Sequence, residues 1–226
     1  MLWFDTAIVT PILLSFYFLL SERNNKNLFL SGLFIGIACL IKQTVGIFLI
    51  VNGLWLMFKK NGFEKVLSYL SGPAITGLAL IMYLIKNNSL TDFINWNLVY
   101  PAKYWTKFPG YVQMSLSSDQ IFILFLLIFP LIFVLFKRKS TLFRDRNFLL
   151  FTFYFLLSAV IVYPRFSFFH LQTALAFLAI LYGYLFYRYL ASNFLIFTTY
   201  LLLIFIAIPV IRWDWGKETR FWSKSD

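Results

Sequence analysis

About eight apolar runs of spanning or near-spanning length divide the chain: Leu2–Leu20, Leu28–Ile41, Val45–Phe58, Val66–Ile85, Ile121–Phe136, Phe148–Val162, Leu171–Tyr187 and Phe194–Ile211. Runs of this kind predict membrane-crossing helices. The second and third are short, at 14 residues each. At 1.5 Å per residue they reach about 21 Å, less than the roughly 30 Å of a hydrocarbon core. They suit a tight pair with a buried turn at Lys42-Gln43-Thr44, or a re-entrant hairpin, and either arrangement places Lys42 deeper than a loop lysine. The one long connection runs from Lys86 to Gln120. The prediction is an all-α polytopic protein, with residues 1–226 as a single transmembrane domain and 86–120 as an external loop.

Composition agrees. Hydrophobic residues make up 61% of the 226 positions and charged residues 13%, with a mean hydropathy of +0.78. A soluble domain is nearer 45–50% and 25%. Aromatic residues reach 22%, too many for the interior of a chain this size and natural at a lipid-facing surface and its interfaces. Cys39 is the single cysteine and His170 the single histidine. An intrachain disulfide and a multi-histidine metal cluster are therefore excluded.

The net charge of +11 points to membrane orientation rather than nucleic acid, because the basic residues sit between the apolar runs. Alternate connections hold Arg23, Lys26, Lys59, Lys60, Lys65, Lys137, Arg138, Lys139, Arg144, Arg146 and Arg188 against only Glu22, Glu64 and Asp145. The other set carries nine basic residues against six acids. The positive-inside rule puts the first set in the cytoplasm. The long loop, the Tyr163–His170 segment and the tail Arg212–Asp226 then face outward, as does Met1. With no signal-like segment upstream of the first span, the sequence reads as the later part of a longer protein.

Ionisable groups at membrane depth are functional candidates. Asp5 lies about one turn inside the outer boundary of the first run, either as a general base or metal ligand facing an external cavity, or as a solvated N-terminal residue beside a helix cap. Lys42 either holds the phosphate of a lipid-linked substrate or snorkels from a short helix end. In Tyr163-Pro164-Arg165-Phe166, Arg165 suits a phosphate or pyrophosphate, and His170 suits a hydrogen bond to a leaving or accepting oxygen; an interfacial Arg and a helix-starting His are the plainer alternatives. In the long loop, Trp96, Tyr100, Lys103, Tyr104, Trp105, Lys107 and Tyr111 fit a glycan or lipid headgroup, or an interfacial segment lying on the bilayer. Gly32 and Gly36 form a GxxxG pair that permits close helix approach and by itself carries no functional signal. No Walker A, GxSxG or HExxH pattern occurs, which argues against a cytosolic ATP-driven machine.

Together these residues resemble a known family. Ser31-Gly32-Leu33-Phe34-Ile35-Gly36-Ile37-Ala38-Cys39-Leu40-Ile41-Lys42-Gln43-Thr44 is similar to the GLxxGLAxLTKxT stretch of GT-C membrane glycosyltransferases, in particular the protein-mannosyltransferase and aminoarabinose-transferase-like group (glycosyltransferase family 39 and its bacterial kin). The segment from Tyr163 through Arg165, Phe166 and His170 to Leu178 resembles their RF…H…PALPFLA stretch, departing at Thr173 and Ala176. The resemblance implies a hexosyl or pentosyl transferase that moves sugar from a polyprenyl-phosphate donor to a cell-envelope glycan, lipid or protein, outside the cytoplasm, as a multi-pass protein of the plasma (inner) membrane. It assigns Asp5 to catalysis and Lys42, Gln43, Arg165, His170 and Tyr163 to the substrate and lipid phosphate. No metal ligand or certain cofactor is assigned, a divalent metal stays open, and nucleic acid is not a partner. The family's acidic pair in the first external loop has no counterpart here, so this stretch alone is expected to lack part of the catalytic set. Two other classes fit the same charges: a transporter or lipid flippase, and a non-catalytic lipid-binding scaffold.

Overall fold

In the computed structural model of the chain, the described residues are 4–21, 24–104, 107, 112, 114–163, 166 and 170–190. Among them there is no strand, and the fold is all-α. The predicted last run, Phe194–Ile211, lies outside the described residues. The chain forms two compact units, residues 1–112 and 113–226.

The first unit opens with a hairpin of α1 (Phe4–Leu20) and α2 (Asn25–Ile41). Ile8, Ile12, Phe16 and Leu19 recur at helical spacing and are buried, whereas Phe4, Tyr17 and Leu20 are exposed, so one face packs and the other is left for lipid. The α2 helix starts three residues before its apolar run, because the Asn24 side chain accepts a hydrogen bond from the Asn27 N–H at 2.8 Å. That cap satisfies an otherwise orphaned donor and lengthens the helix to 17 residues. Inside the hairpin Ser31 Oγ donates to the Ser15 carbonyl at 2.8 Å, and the Phe18 and Phe34 rings stack 5.7 Å apart.

A short 3₁₀ turn, Gln43–Val45, leads from α2 into α3 (Gly46–Met57), and α4 (Gly62–Lys86) follows. The turn is only partly buried: Val45 is enclosed while Gln43 and Thr44 are exposed. Helices α2 and α4 run parallel and touch backbone to backbone. A Cβ on Gly32 would overlap the Tyr69 carbonyl oxygen and lie 2.9 Å from Pro73 Cδ, and one on Gly72 would overlap the Gly32–Leu33 backbone. A Cβ on Gly36 would overlap Thr76 Oγ1. Pro73 has no N–H to give the carbonyl of Tyr69, four residues before it. That carbonyl is the one that rests on Gly32, in the manner of a weak Cα–H···O contact. Between helices in lipid, where apolar burial drives little, such close approach is the main cohesive force.

One described helix, α4, is long and apolar enough to cross a membrane by length and composition alone. Of its residues, Tyr69, Gly72, Thr76 and Leu84 are enclosed, while Leu67, Leu70, Ile75, Leu78, Ile81, Met82 and Ile85 are exposed. A core helix of a soluble protein would show the reverse. Helices α1, α2, α3 with its preceding turn, α8 (Arg146–Val160) and the stretch 120–136 of α7 (Ser118–Leu142) are apolar and shorter. The connection 86–120, read from sequence as an external loop, is helical over much of its first half: α5 (Leu90–Ile94), a π-helical turn Asn95–Val99 and α6 (Tyr100–Lys103). Asn88, at a φ of 52°, separates it from α4.

In the second unit, Ile123, Leu127, Leu131 and Val134 of α7 pack with Phe148 of α8 and with Ala174, Leu178, Leu181 and Leu185 of α9 (Gln172–Leu185). Helices α8 and α9 are antiparallel, since Tyr154 meets Phe177, Phe151 meets Tyr184 and Asp145 meets Arg188 in consistent register. Asp145 is the node of one end. Its carboxylate caps α8 by accepting from the Asn147 and Phe148 N–H groups, takes the Tyr184 hydroxyl at 2.6 Å, and pairs with Arg188 at 3.2 Å. The connection before α8 and the residues after α9 thus meet at one end of this hairpin.

Two stability outcomes follow from these contacts. Gly32→Ala is expected to destabilise by at least the roughly 1–3 kcal/mol of an overpacked site, because the obstacle is backbone. Gly53→Ala in α3, where a Cβ meets nothing within 4 Å, should be neutral or stabilising by about 0.5–1 kcal/mol. Thermal unfolding of the two variants in lipid nanodiscs compares them. Asp145→Ala should cost about 1 kcal/mol for the lost cap and about 1–3 kcal/mol for the stranded Tyr184 hydroxyl, whereas Arg188→Gln, at an exposed partner, should change stability by less than about 1 kcal/mol.

Candidate functional site

Asp5 and Lys42 form an ion pair. Helix hairpin register brings them together. With Ser15 against Ser31, ten residues back along α1 returns to Asp5, and eleven forward along α2 reaches Lys42. Asp5 lies in the first turn of α1, where the positive end of the helix dipole favours a carboxylate. Lys42 follows the last residue of α2, where the negative end favours a cation. The Lys42 N–H still donates to the Ala38 carbonyl at 2.9 Å, but its φ of −146° and ψ of 115° are extended, which ends the helix and starts the 3₁₀ turn. The carboxylate is the better enclosed partner, at 8% side-chain exposure against 21% for the lysine. The ammonium is thus the more open of the two groups.

Gln43, the next residue, hydrogen-bonds through its side-chain amide to Asn97 Oδ1. Asn97 Nδ2 in turn donates to the Phe93 carbonyl at 2.9 Å, which fixes which amide atom faces Gln43. Asn97 is in the middle of the π-helical turn, where the Tyr100 N–H reaches back to the Asn95 carbonyl. Pro101 accounts for the turn: it offers no N–H to Asn97, and its ring displaces that carbonyl, so the helix widens just before it. On the same stretch the rings of Trp96 and Tyr100 are 5.0 Å apart at 64°, and those of Tyr100 and Tyr104 are 5.7 Å apart.

Of the residues singled out from sequence, the structure therefore joins Asp5 with Lys42 and places Gln43 beside them in the chain. Tyr163 and His170 belong to the second unit, in the connection between α8 and α9, at the end of that hairpin opposite Asp145. Tyr163 is exposed and His170 half-buried. Arg165 lies outside the described residues, as do Pro164, Trp105 and Tyr111. Asn97 was missed by sequence reasoning. Its available signal was one of two asparagines flanking Trp96, the one four residues before a proline, in a segment read as loop. Among the described residues no group of three or more His, Cys, Asp or Glu side chains is placed to hold a metal ion.

No curated protein and no solved structure matches the chain. A family model does: that of glycosyltransferase family 87 matches residues 4–164. The match takes in the helices that carry Asp5, Lys42, Gln43 and Asn97, and it is to family 87 rather than to the family 39 group that the Gly–Lys stretch resembles. The chain belongs to glycosyltransferase family 87 and is a membrane glycosyltransferase of the GT-C type.

Proposed function

We propose that the protein is a multi-pass enzyme of the plasma membrane that transfers a hexosyl or pentosyl group from a polyprenyl-phosphate sugar to a cell-envelope acceptor, on the extracytoplasmic side. The observation that carries this reading is the Asp5–Lys42 ion pair at one end of the first unit. A carboxylate and an ammonium side by side are the two groups such a transfer needs. In the reaction the acceptor hydroxyl gives its proton to Asp5, its oxygen bonds to the anomeric carbon, and the bond from that carbon to the phosphate oxygen breaks with its electron pair going to the lipid phosphate. Displacement in one step inverts the anomeric centre. The departing phosphate is already a stable anion and needs no general acid, so one base suffices. Lys42 stabilises the charge that gathers on the phosphate, and a fixed cation is most effective where water is scarce.

The pairing also supplies an order of events. While Lys42 is held by Asp5, the carboxylate is engaged. An incoming lipid phosphate competes for the ammonium, and as it binds it draws Lys42 away from the carboxylate that takes the acceptor's proton. Donor binding thereby readies the base. Assignment of Arg165, His170 and Tyr163 to the donor rests on the family-like stretch around them, and the step written above does not require them.

Assay of the protein in membrane vesicles with a radiolabelled polyprenyl-phosphate sugar tests the proposal. Asp5→Asn should lower transfer by about 10²–10⁴-fold, the usual contribution of a positioned base, and Lys42→Ala should reduce it comparably. Stability separates chemistry from packing. Lys42→Ala strands an enclosed carboxylate, at a cost of up to about 3–5 kcal/mol, and the double variant Asp5→Asn/Lys42→Met should recover most of that loss in thermal unfolding while remaining inactive. Wild-type transfer by either single variant would sink the assigned roles.

A further inference from the structure

We propose that Trp96, Tyr100 and Tyr104 form a stacking subsite for a pyranose ring, held in register with the reacting pair by the Gln43–Asn97 hydrogen bond. The inference builds on the transferase reading above for the identity of the reacting pair, and adds where the sugar lies and what keeps it there. Three observations converge on it.

The first is how the rings meet. Trp96 and Tyr100 pack edge to face at 64°, and Tyr100 and Tyr104 are tilted by 42°. Rings stacked flat on one another would cover each other, whereas these stay partly open, with Trp96 62% and Tyr104 45% exposed. The C–H-lined side of a pyranose is apolar and weakly positive, and it complements the negative face of an aromatic ring. The second is the polar rim. The Lys103 ammonium lies over one face of the Tyr104 ring, 5.3 Å from its centre, so a charged donor stands at that end of the ladder, as a polyol ligand requires.

The third observation separates this subsite from a simple interfacial belt. Belt aromatics need an apolar body and a wet edge, and nothing more. Here the residue after Trp96 is bonded to the residue after Lys42 across 54 positions of sequence. The path Trp96, Asn97, Gln43, Lys42, Asp5 is continuous, with two side-chain contacts joining two pairs of chain neighbours. Asn97 is itself clamped by the Phe93 carbonyl, and the π-helical turn that presents it is set by Pro101. The segment that carries the ladder is therefore tied to the turn beside the reacting pair.

The test is binding rather than turnover. The protein, in phospholipid nanodiscs free of sugar-headed detergent, is examined by saturation-transfer difference NMR with methyl α-mannopyranoside, methyl β-glucopyranoside and methyl β-galactopyranoside, and separately with undecaprenyl-phosphoryl glucose in the disc. Saturation should reach pyranose ring protons, fall at least fivefold in Trp96→Ala, and stay within twofold in Trp96→Phe. Asn97→Ala and Gln43→Ala should each weaken it with all three rings still present. A signal from the soluble glycosides assigns the ladder to the acceptor sugar, and one confined to the lipid-linked glucose assigns it to the donor. Equal signals from wild type and Trp96→Ala, or none from wild type with any probe, overturn the proposal. Because binding is read without turnover, ladder-dependent binding in a protein that transfers no sugar would leave the subsite standing and remove the catalytic reading.

Discussion

The first unit depends on the contact of α2 with α4, where glycine meets glycine and a proline-freed carbonyl rests on an α-carbon. In a chain whose surroundings are as apolar as its own side chains, burial of leucine and phenylalanine does not choose one helix pairing over another. Steric fit does. Only residues without a Cβ allow these backbones to approach so closely, and Gly32, Gly36 and Gly72 therefore set the position of α2 along α4. Everything at the end of α2 inherits that position, including the lysine that closes it and the turn that follows.

Two acids of the chain show how similar chemistry serves different ends. Asp145 caps a helix, accepts a tyrosine hydroxyl and pairs with an arginine, so its carboxylate is committed to holding one end of the second unit together. Asp5 also begins a helix and, like Asp145, is enclosed more than the cation it pairs with. A partner that can be approached from outside can be competed for by an anion. What sets the proposed base apart is its place beside Lys42, which closes the family-like Gly–Lys stretch, rather than burial or charge.

Membership of glycosyltransferase family 87 makes a sugar the expected substrate, and the proposed roles draw together the polar features at this end of the first unit. A carboxylate, an ammonium, an amide bridge and a row of aromatic rings lie on successive elements of one unit. Helix ends supply the first two because the dipoles there favour a carboxylate and an ammonium. A proline-widened turn supplies the others, by interrupting a helix at the point where it passes the end of α2.

Much of this was legible in the chain itself. Apolar runs and the polar clusters between them located the helices, because helix formation and termination respond to neighbours a few residues away. The depth of Asp5 and Lys42 marked both as unusual for the same local reason. The family-like stretch around Lys42 carried the class of enzyme, although the family matched is 87 rather than 39. What the chain did not disclose was partnership: that Asp5 meets Lys42, that Gln43 meets Asn97, that the Tyr69 carbonyl rests on Gly32, and that residues 90–103 wind into helix beside them. Each of these depends on how far one helix slides along another. That offset is fixed by close contacts between residues distant in sequence, so periodicity along a single helix carries no record of it, and only the tertiary structure decides it.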